Sequence, residues 1–441
     1  MEHKSNPRAL LPILVFLLLY LGTGIYFEYI HPTEGTMGFY VMSVVVAFGL
    51  ALIVAFAQNR ALSFDEKIHL CAKGIGDDNI TIMLFIFLMA GAFSGIAGAA
   101  GGVEATSYLL LNIVPGRFVI PGLFLIACLI SMSMGTSVGT ITVLVPIAAA
   151  VAGTAHFNLP LCVATVVGGA MFGDNLSFIS DTTIAATKTQ GVEMKDKFRV
   201  NFRIALPAAV LTLIVLIVYA FLQGPAKLEH FDFNILLAIP YFIVLILALV
   251  GINVFLVLGA GILLFLASGL IAGTLTVSDA FAAIGSGTTG MFETMIVTVL
   301  VASISALMKA YGGFEAILSF IRRHFRGRRG GMAGIGLLTM LMDIATANNT
   351  VAIVVAGPIA RTISEEYGIE GKKTASLLDT CSCIAQGIIP YGAQLLIAAS
   401  LAKIASVTII PWLFYPFLLL VFVAVSIAFD KRADQPAPAA E

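Results

Sequence analysis

Residues 173–183 read Gly-Asp-Asn-Leu-Ser-Phe-Ile-Ser-Asp-Thr-Thr, directly after a long apolar run. Two carboxylates, an amide and four hydroxyls stand there where lipid-compatible side chains are expected. An ionised carboxylate at membrane depth costs roughly 2.5–3.5 kcal/mol even on lenient insertion scales. Asp174 is therefore expected to spend most of its time neutralised, and either a proton or a Na⁺ ion can neutralise it. If the two compete for one carboxylate and the empty, charged site crosses poorly, exchange follows. Asp181 precedes the helix-forming run TTIAATKTQG, so N-capping competes with a role in ion binding.

Three further runs interrupt apolar segments in the same way: SMSMGTSVGT at 131–140, DIATANNT at 343–350 and QGIIPYGAQ at 386–394. Gly and Pro break helices and free backbone carbonyls and amides. Such groups are tolerated at membrane depth only where they line a cavity or bind something. A hard cation needs several oxygen ligands. Asp174, Asn175, Ser177, Thr136, Ser137 and Thr140 offer them to Na⁺, while Asn348, Asn349, Thr350 and Gln394 suit a substrate. Asp343, at a hairpin mouth, and Asp379, well inside the span from 373, are further candidates for proton or ion coupling alongside Asp174 and Asp181. The bland alternative for any single hydroxyl is helix-to-helix glue, and for Asp343 or Asp379 a structural hydrogen bond.

The elements that must position these residues are membrane helices. The chain has 441 residues, 59% hydrophobic and 11% charged, against about 25% charged in soluble domains; its mean hydropathy is +1.02. Apolar runs long enough to span recur at about 9–27, 37–58, 79–97, 158–180, 199–222, 233–250, 252–273, 289–309, 373–400 and 408–429. The fold class is an all-α polytopic membrane protein of about 10 full spans. Segments 118–154 and 331–360 are interrupted near their middles and read as re-entrant hairpins or pairs of short spans. A net charge of -1 gives no reason to expect a nucleic-acid partner. Five cysteines, Cys71, Cys128, Cys162, Cys381 and Cys383, read as buried thiols rather than a disulfide framework.

Basic residues cluster at Arg60, Lys67 and Lys73, at Lys188 to Arg203, at Arg322 to Arg329 and at Lys431 and Arg432. Placing these clusters and both termini in the cytoplasm leaves segments 28–36, 98–116, 154–158 and 274–288 as opposite loops, with Arg117, Lys227 and Lys403 as exceptions. A weak internal repeat accompanies this topology. Gly74-Ile-Gly76 matches Gly285-Ser-Gly287 and GGVEA at 101–105 matches GGFEA at 312–316, both at an offset of 211. Thr136 matches Thr346 at 210. Five crossings separate the two copies, so they run in opposite senses, the inverted-repeat plan of secondary transporters. The domain plan that follows is 1–69 as N-terminal scaffold helices and 70–198 as repeat 1, with its hairpin at 118–154 and a broken helix at 158–188. Helices of 199–280 are scaffold again; repeat 2 covers 281–405, with hairpin 331–360 and broken helix 373–400. A last scaffold helix at 406–430 and a disordered tail at 431–441 complete it.

The 173–183 run resembles the signature of NhaC-type sodium/proton antiporters, approximately G-D-K-x-S-P-x-S-D-T-T. Asp174, Ser177, Ser180, Asp181, Thr182 and Thr183 match. Asn175 stands where that family usually has Lys, and Phe178 where it usually has Pro. The likeness extends over roughly residues 70–405. It implies a Na⁺/H⁺ antiporter that moves Na⁺ outward against H⁺ by alternating access, with no cofactor beyond the transported ion. The paired hairpins are also similar to those of the ion transporter superfamily, which implies a scaffold, a mobile transport domain working as an elevator, and a homodimer in lipid. Residence in a bacterial inner membrane goes with that reading.

Two other functions compete. One is Na⁺-coupled symport or exchange of a small amino acid or organic acid, the solute's carboxylate received by half-helix N-termini and Asn348/Asn349. The other is an intramembrane aspartyl protease, prompted by Gly-Ile-Gly-Asp at 74–77. That chemistry needs two facing carboxylates, and no Tyr-Asp partner motif is present. No P-loop, GxSxG or HExxH supports a pump or hydrolase, so the chain is not expected to be an enzyme.

Overall fold

The computed structural model describes residues 5–31, 41–177, 180–222, 231–250 and 252–430. The tail at 431–441, Lys227 and Phe178 lie outside the described residues. Among these every element is helical, and eight helices, or ten counting two bent pairs as single spans, are long and apolar enough to cross a membrane.

The helices fall in an order that occurs twice. The first set is α1 (Leu11–Ile25), α2 (Val44–Ala57), α3 (Phe64–Ile75), α4 (Asp78–Ala99), α5 (Gly102–Ile113), α6 (Val119–Met134), α7 (Ser137–Ala155), α8 (Leu159–Leu176), α9 (Asp181–Gln190) and α10 (Met194–Leu222). The second is α11 (Ile235–Leu249), α12 (Val254–Ala272), α13 (Val277–Gly290), α14 (Phe292–Ala310), α15 (Gly313–His324), α16 (Gly327–Thr346), α17 (Asn349–Glu366), α18 (Gly371–Ile388), α19 (Ala393–Ala402), then α20 (Ser406–Ile409) with α21 (Phe414–Ala428).

Local signals agree between the sets. Both α3 and α13 open with a capping box, Ser63 with Glu66 and Thr276 with Asp279. The Ser63 backbone N–H bonds the Glu66 carboxylate and holds it below the usual carboxylate range. Gly101 and Gly312 enter α5 and α15 at φ +81° and +83°, a left-handed conformation that suits glycine. Hairpin arms α6 and α7 part at Gly135-Thr136, and α16 and α17 part at Ala347-Asn348. The sets also exchange partners: α13 packs on α4 as α3 packs on α14, and α9 packs on α17 as α19 packs on α7.

Three sequence expectations are corrected. Segments 98–116 and 274–288, read as loops, carry α5 and α13, and the basic loop after residue 60 carries α3. These short helices lack the long apolar run that flags a span, so hydropathy alone passes over them. The repeat register also shifts. Thr136 and Asn348 are the equivalent residues, each capping the second hairpin arm, so Thr136 does not pair with Thr346. Finally, Lys67 and Lys197 are not loop cations. Lys67 is buried and donates to the carbonyls of Phe56 and Gln58 at 2.8 and 2.9 Å, closing the C-terminus of α2.

Gly91 and Gly95 let α4 meet α13 backbone to backbone. A Cβ on Gly287 would sit 2.2 Å from the Gly91 carbonyl oxygen, and one on Gly95 would sit 2.2 Å from that of Ala283. Backbone cannot yield as a side chain can, so Gly287→Ala is expected to destabilise by about 1–3 kcal/mol. A lowered thermal midpoint of the purified protein in detergent would register it; an unchanged midpoint would refute the tight crossing.

Candidate functional site

The four interruptions meet. Helices α8 and α9 part between Leu176 and Asp181, and α18 and α19 part between Ile388 and Ala393. Together with the two hairpin breaks they surround a cavity of about 80 Å³. Its polar lining is Thr136 and Ser137, Asp174, Ser180, Asp181 and Thr182 from the first set, and Asn348, Asn349, Thr350, Gln386 and Gln394 from the second; Ile82, Met83 and Ile86 of α4 form an apolar wall.

Asp174 lies in the last turn of α8, 4% exposed. Its Oδ2 accepts from Ser137 Oγ at 2.8 Å and its Oδ1 from Ser180 Oγ at 2.7 Å. Both partners are hydroxyls, which can turn to accept as well as donate, so the contacts survive a change of charge on the acid. Ser137 in turn accepts from Gln394 Nε2 at 3.0 Å, and Gln394 Oε1 accepts from Gln386 Nε2 at 2.7 Å. One hydrogen-bonded chain thus joins the acid of the first set to the hairpin and broken helix of the second.

The first residues of α7, α9, α17 and α19 all line the cavity. Thr136 and Asn348 cap α7 and α17 through their side chains, whereas neither α9 nor α19 has a side-chain cap. Helix N-termini carry partial positive charge, so they offset part of the cost of an ionised Asp174. Asp181 is the exposed first residue of α9, and the N-cap position belongs to Ser180.

Other residues singled out in the sequence lie outside this cavity. Asn175 donates to the Met171 carbonyl at 2.9 Å and to Tyr415 Oη at 3.1 Å. Ser177 donates to Met132 O and Thr140 to Thr136 O, each at 2.9 Å. Asp379 is fully buried, 2.8 Å from Lys197 Nζ, and accepts from Asn201 Nδ2 at 2.6 Å. Lys197 also reaches the Asn175 carbonyl at 3.0 Å and Thr183 Oγ1 at 2.7 Å, tying α10 to α8, α9 and α18. Asp343 is fully buried in α16; among the described residues no side chain bonds its carboxyl, and the backbone N–H of Gln386 is the group that reaches it. Among the described residues no group of three or more His, Cys, Asp or Glu side chains assembles; the oxygens that line the cavity are those of hydroxyls, amides and the two acids Asp174 and Asp181.

Sequence reasoning left two participants without a role. Gln386 occupies in α18 the place Asp174 holds in α8, two residues before the last helical residue, and the corrected repeat register would have revealed it. Lys197 carries no such signal, because its partner Asp379 stands far along the chain, on α18.

A family model described as the Na⁺/H⁺ antiporter family matches residues 6–221 and 226–429. The chain is 22% identical over 423 residues to the malate-2H⁺/Na⁺-lactate antiporter of Bacillus subtilis, covering 88% of each chain. It is also 22% identical to the Na⁺/H⁺ antiporter NhaC of Alkalihalophilus pseudofirmus, over 79% of this chain and 83% of the relative. Among solved structures, the YdaH transporter of Alcanivorax borkumensis aligns over 96% of this chain and 98% of that one, at 14% identity and a TM-score of 0.45.

Proposed function

This chain belongs to the Na⁺/H⁺ antiporter family, a family of multi-pass membrane transporters, and from that premise we propose that Asp174 is the group on which Na⁺ and H⁺ compete. The observation that carries this reading is the position of Asp174 in the cavity, held by hydroxyls from two helix breaks and by no basic side chain. With a proton on the acid, or with Na⁺ against it and surrounded by Ser137, Ser180 and Thr136 oxygens, the site is neutral and can change sides. Empty and ionised, it faces an added cost of roughly 2.5–3.5 kcal/mol, which suppresses the unproductive return about 100-fold. Na⁺ therefore moves outward only as H⁺ moves inward.

The reciprocal packing of the two helix sets supports an inverted pair. In that pair 70–198 and 281–405 form the moving unit, while 1–69, 199–280 and 406–430 form the scaffold, which makes an elevator-like homodimer the working form. The basic clusters support cytoplasmic termini in a bacterial inner membrane.

A second reading is favoured by one observation: four helix N-termini border the cavity, two of them without side-chain caps. That field suits a carboxylate, and one relative bears the name of a malate-2H⁺/Na⁺-lactate antiporter. Proteoliposomes decide between them. Na⁺ alone, added outside vesicles loaded with a pH indicator, is expected to enter as protons leave, so that the lumenal pH rises. Proton movement that requires lactate, malate or an amino acid would select the solute-coupled reading instead.

A further inference from the structure

Arg117 is one of three cations that break the charge bias of the loops, and it takes no part in the transport scheme. It follows Pro115 and Gly116 in the turn that opens α6, the first arm of the first hairpin. Helix α10 begins among Lys195, Arg199 and Arg203 and ends at Leu222, beside Arg117. Its 29 residues, about 43 Å of helix, place Arg117 across the bundle from that basic cluster. The counterpart of Arg117 in the second set is Arg328. Each follows a glycine at the start of the first hairpin arm, Gly116 and Gly327, at the offset of 211 that also relates GGVEA to GGFEA. Arg328 is answered by a carboxylate: its Nε donates to Asp430 at 2.9 Å, and a terminal nitrogen donates to the Gly368 carbonyl. Gly368 and His156 close the second hairpin arms of the two sets, both in the left-handed conformation, and Asp430 stands two residues past the end of α21.

Arg117 has no such answer. The chain after α10 reads Gln-Gly-Pro-Ala-Lys, with no acid two residues past the helix. Among the described residues no carboxylate pairs with Arg117. Its Nε is buried without a hydrogen-bond partner, and its guanidinium lies 5.1 Å from the centroid of the Phe221 ring. A buried donor left without an acceptor is costly. Around this arginine lies a cavity of about 350 Å³, lined also by His156, Asn158 and Tyr219. These side chains add N–H and O–H donors, and the described lining contains no acid. Phe118 and Phe221 are exposed beside the cavity, and Tyr219 meets Trp412 edge to face at 5.7 Å, aromatic groups of the kind that mark a membrane surface. Val210, Ile214, Val218 and Phe221 are exposed along α10, an apolar stripe at helical spacing that leads to the cavity.

We propose that this cavity binds the phosphodiester of an anionic phospholipid, whose acyl chains lie along the stripe on α10. The planar fork of Arg117 matches two phosphate oxygens, so the phosphate does for Arg117 what Asp430 does for Arg328. Lipid then ties the first hairpin to α10 from outside the chain, whereas the second hairpin is tied to α21 by an ion pair within it. A choline headgroup would bring a second cation towards Arg117 with no acid in the described lining to receive it. A glycerol headgroup brings only hydroxyls, so phosphatidylglycerol is preferred over phosphatidylcholine.

Trp412 is the single tryptophan of the chain, and its contact with Tyr219 makes it a reporter of the cavity. The full-length protein is reconstituted in phosphatidylcholine vesicles, and phosphatidylglycerol with brominated acyl chains, which quench indole fluorescence at close range, is added in steps. Half-quenching is expected at a mole fraction roughly tenfold lower than with brominated phosphatidylcholine, the worth of one charge-assisted hydrogen bond. Arg117→Gln should erase that difference and Arg117→Lys should keep part of it. Arg199→Gln, at the other end of α10, should keep all of it. Equal quenching of the wild type by the two lipids overturns the proposal without recourse to any variant. So does an Arg117→Gln protein that folds and keeps the preference. Inorganic phosphate is added last: if it displaces the brominated phosphatidylglycerol as well as the unlabelled lipid does, the cavity takes a free anion and the lipid site is refuted.

Discussion

Asp174→Asn is expected to reduce Na⁺-driven proton movement in proteoliposomes by at least about 100-fold while the protein still folds. The amide is nearly isosteric and carries no charge, so it mimics the protonated acid and cannot release a proton. The two hydroxyls that hold the acid, Ser137 and Ser180, can accept from an amide N–H as readily as they donate to a carboxylate. The stability cost should stay near the worth of one neutral hydrogen bond, about 1 kcal/mol. The rate effect has a different origin. Every turnover in the proposed cycle passes through a state in which Na⁺ is held by a full negative charge, and Asn offers only a carbonyl dipole. The measurement is the initial rate of lumenal pH change on a Na⁺ jump, compared at equal reconstituted protein. Wild-type rates in the variant would remove Asp174 from the cycle. Asp174→Glu keeps the charge but adds a methylene in a cavity of about 80 Å³, so partial activity with weaker Na⁺ dependence is expected there.

How much of this was legible in the sequence depends on whether a contact is local. The breaks at 135–136, 177–180, 347–348 and 389–392 announce themselves through Gly, Pro and small polar residues inside apolar runs, and the structure parts its helices at those places. The glycines of the GGVEA and GGFEA runs told of a repeat because both must hold the same left-handed backbone. The register between Thr136 and Asn348 is not legible from a constant offset, because loops of slightly different length separate the elements. The direction of each side chain was less legible still. Asn175 follows Asp174 directly, yet a helix turns about 100° per residue, so its amide meets Tyr415 rather than the cavity. Ser177 and Thr140 likewise spend their hydroxyls on nearby carbonyls. The resemblance to NhaC-type antiporters expects a lysine at position 175. In this chain Lys197, on another helix, α10, bonds the carbonyl of that same residue. Such a contact between distant helices has no local signal for a motif to carry.

The pair that Lys197 makes with Asp379 carries the second large expected effect. Lys197 and Asp379 are 1% and 0% exposed and stand 2.8 Å apart, with Asn201, Thr183 and the Asn175 carbonyl completing the bonds around them. Breaking a buried pair from one side leaves the other charge desolvated and typically costs about 3–5 kcal/mol. Lys197→Met should therefore lower the thermal midpoint more than any single change at the cavity, and it should do so with no Na⁺ present. Removing both charges avoids the stranded ion, so Lys197→Met with Asp379→Leu is expected to recover most of the lost stability. The double variant then asks what the pair is for. If it is stable and still exchanges Na⁺ for H⁺, Asp379 is a structural counter-ion that fixes the α8–α9 break against α10 and α18, and the coupling role considered for it falls away. If it is stable and inactive, the pair belongs to the transport cycle. A Lys197→Met protein as stable as the wild type would show that the ion pair does not hold these four helices, and the rigid backing of Asp174 would have to come from elsewhere in the packing.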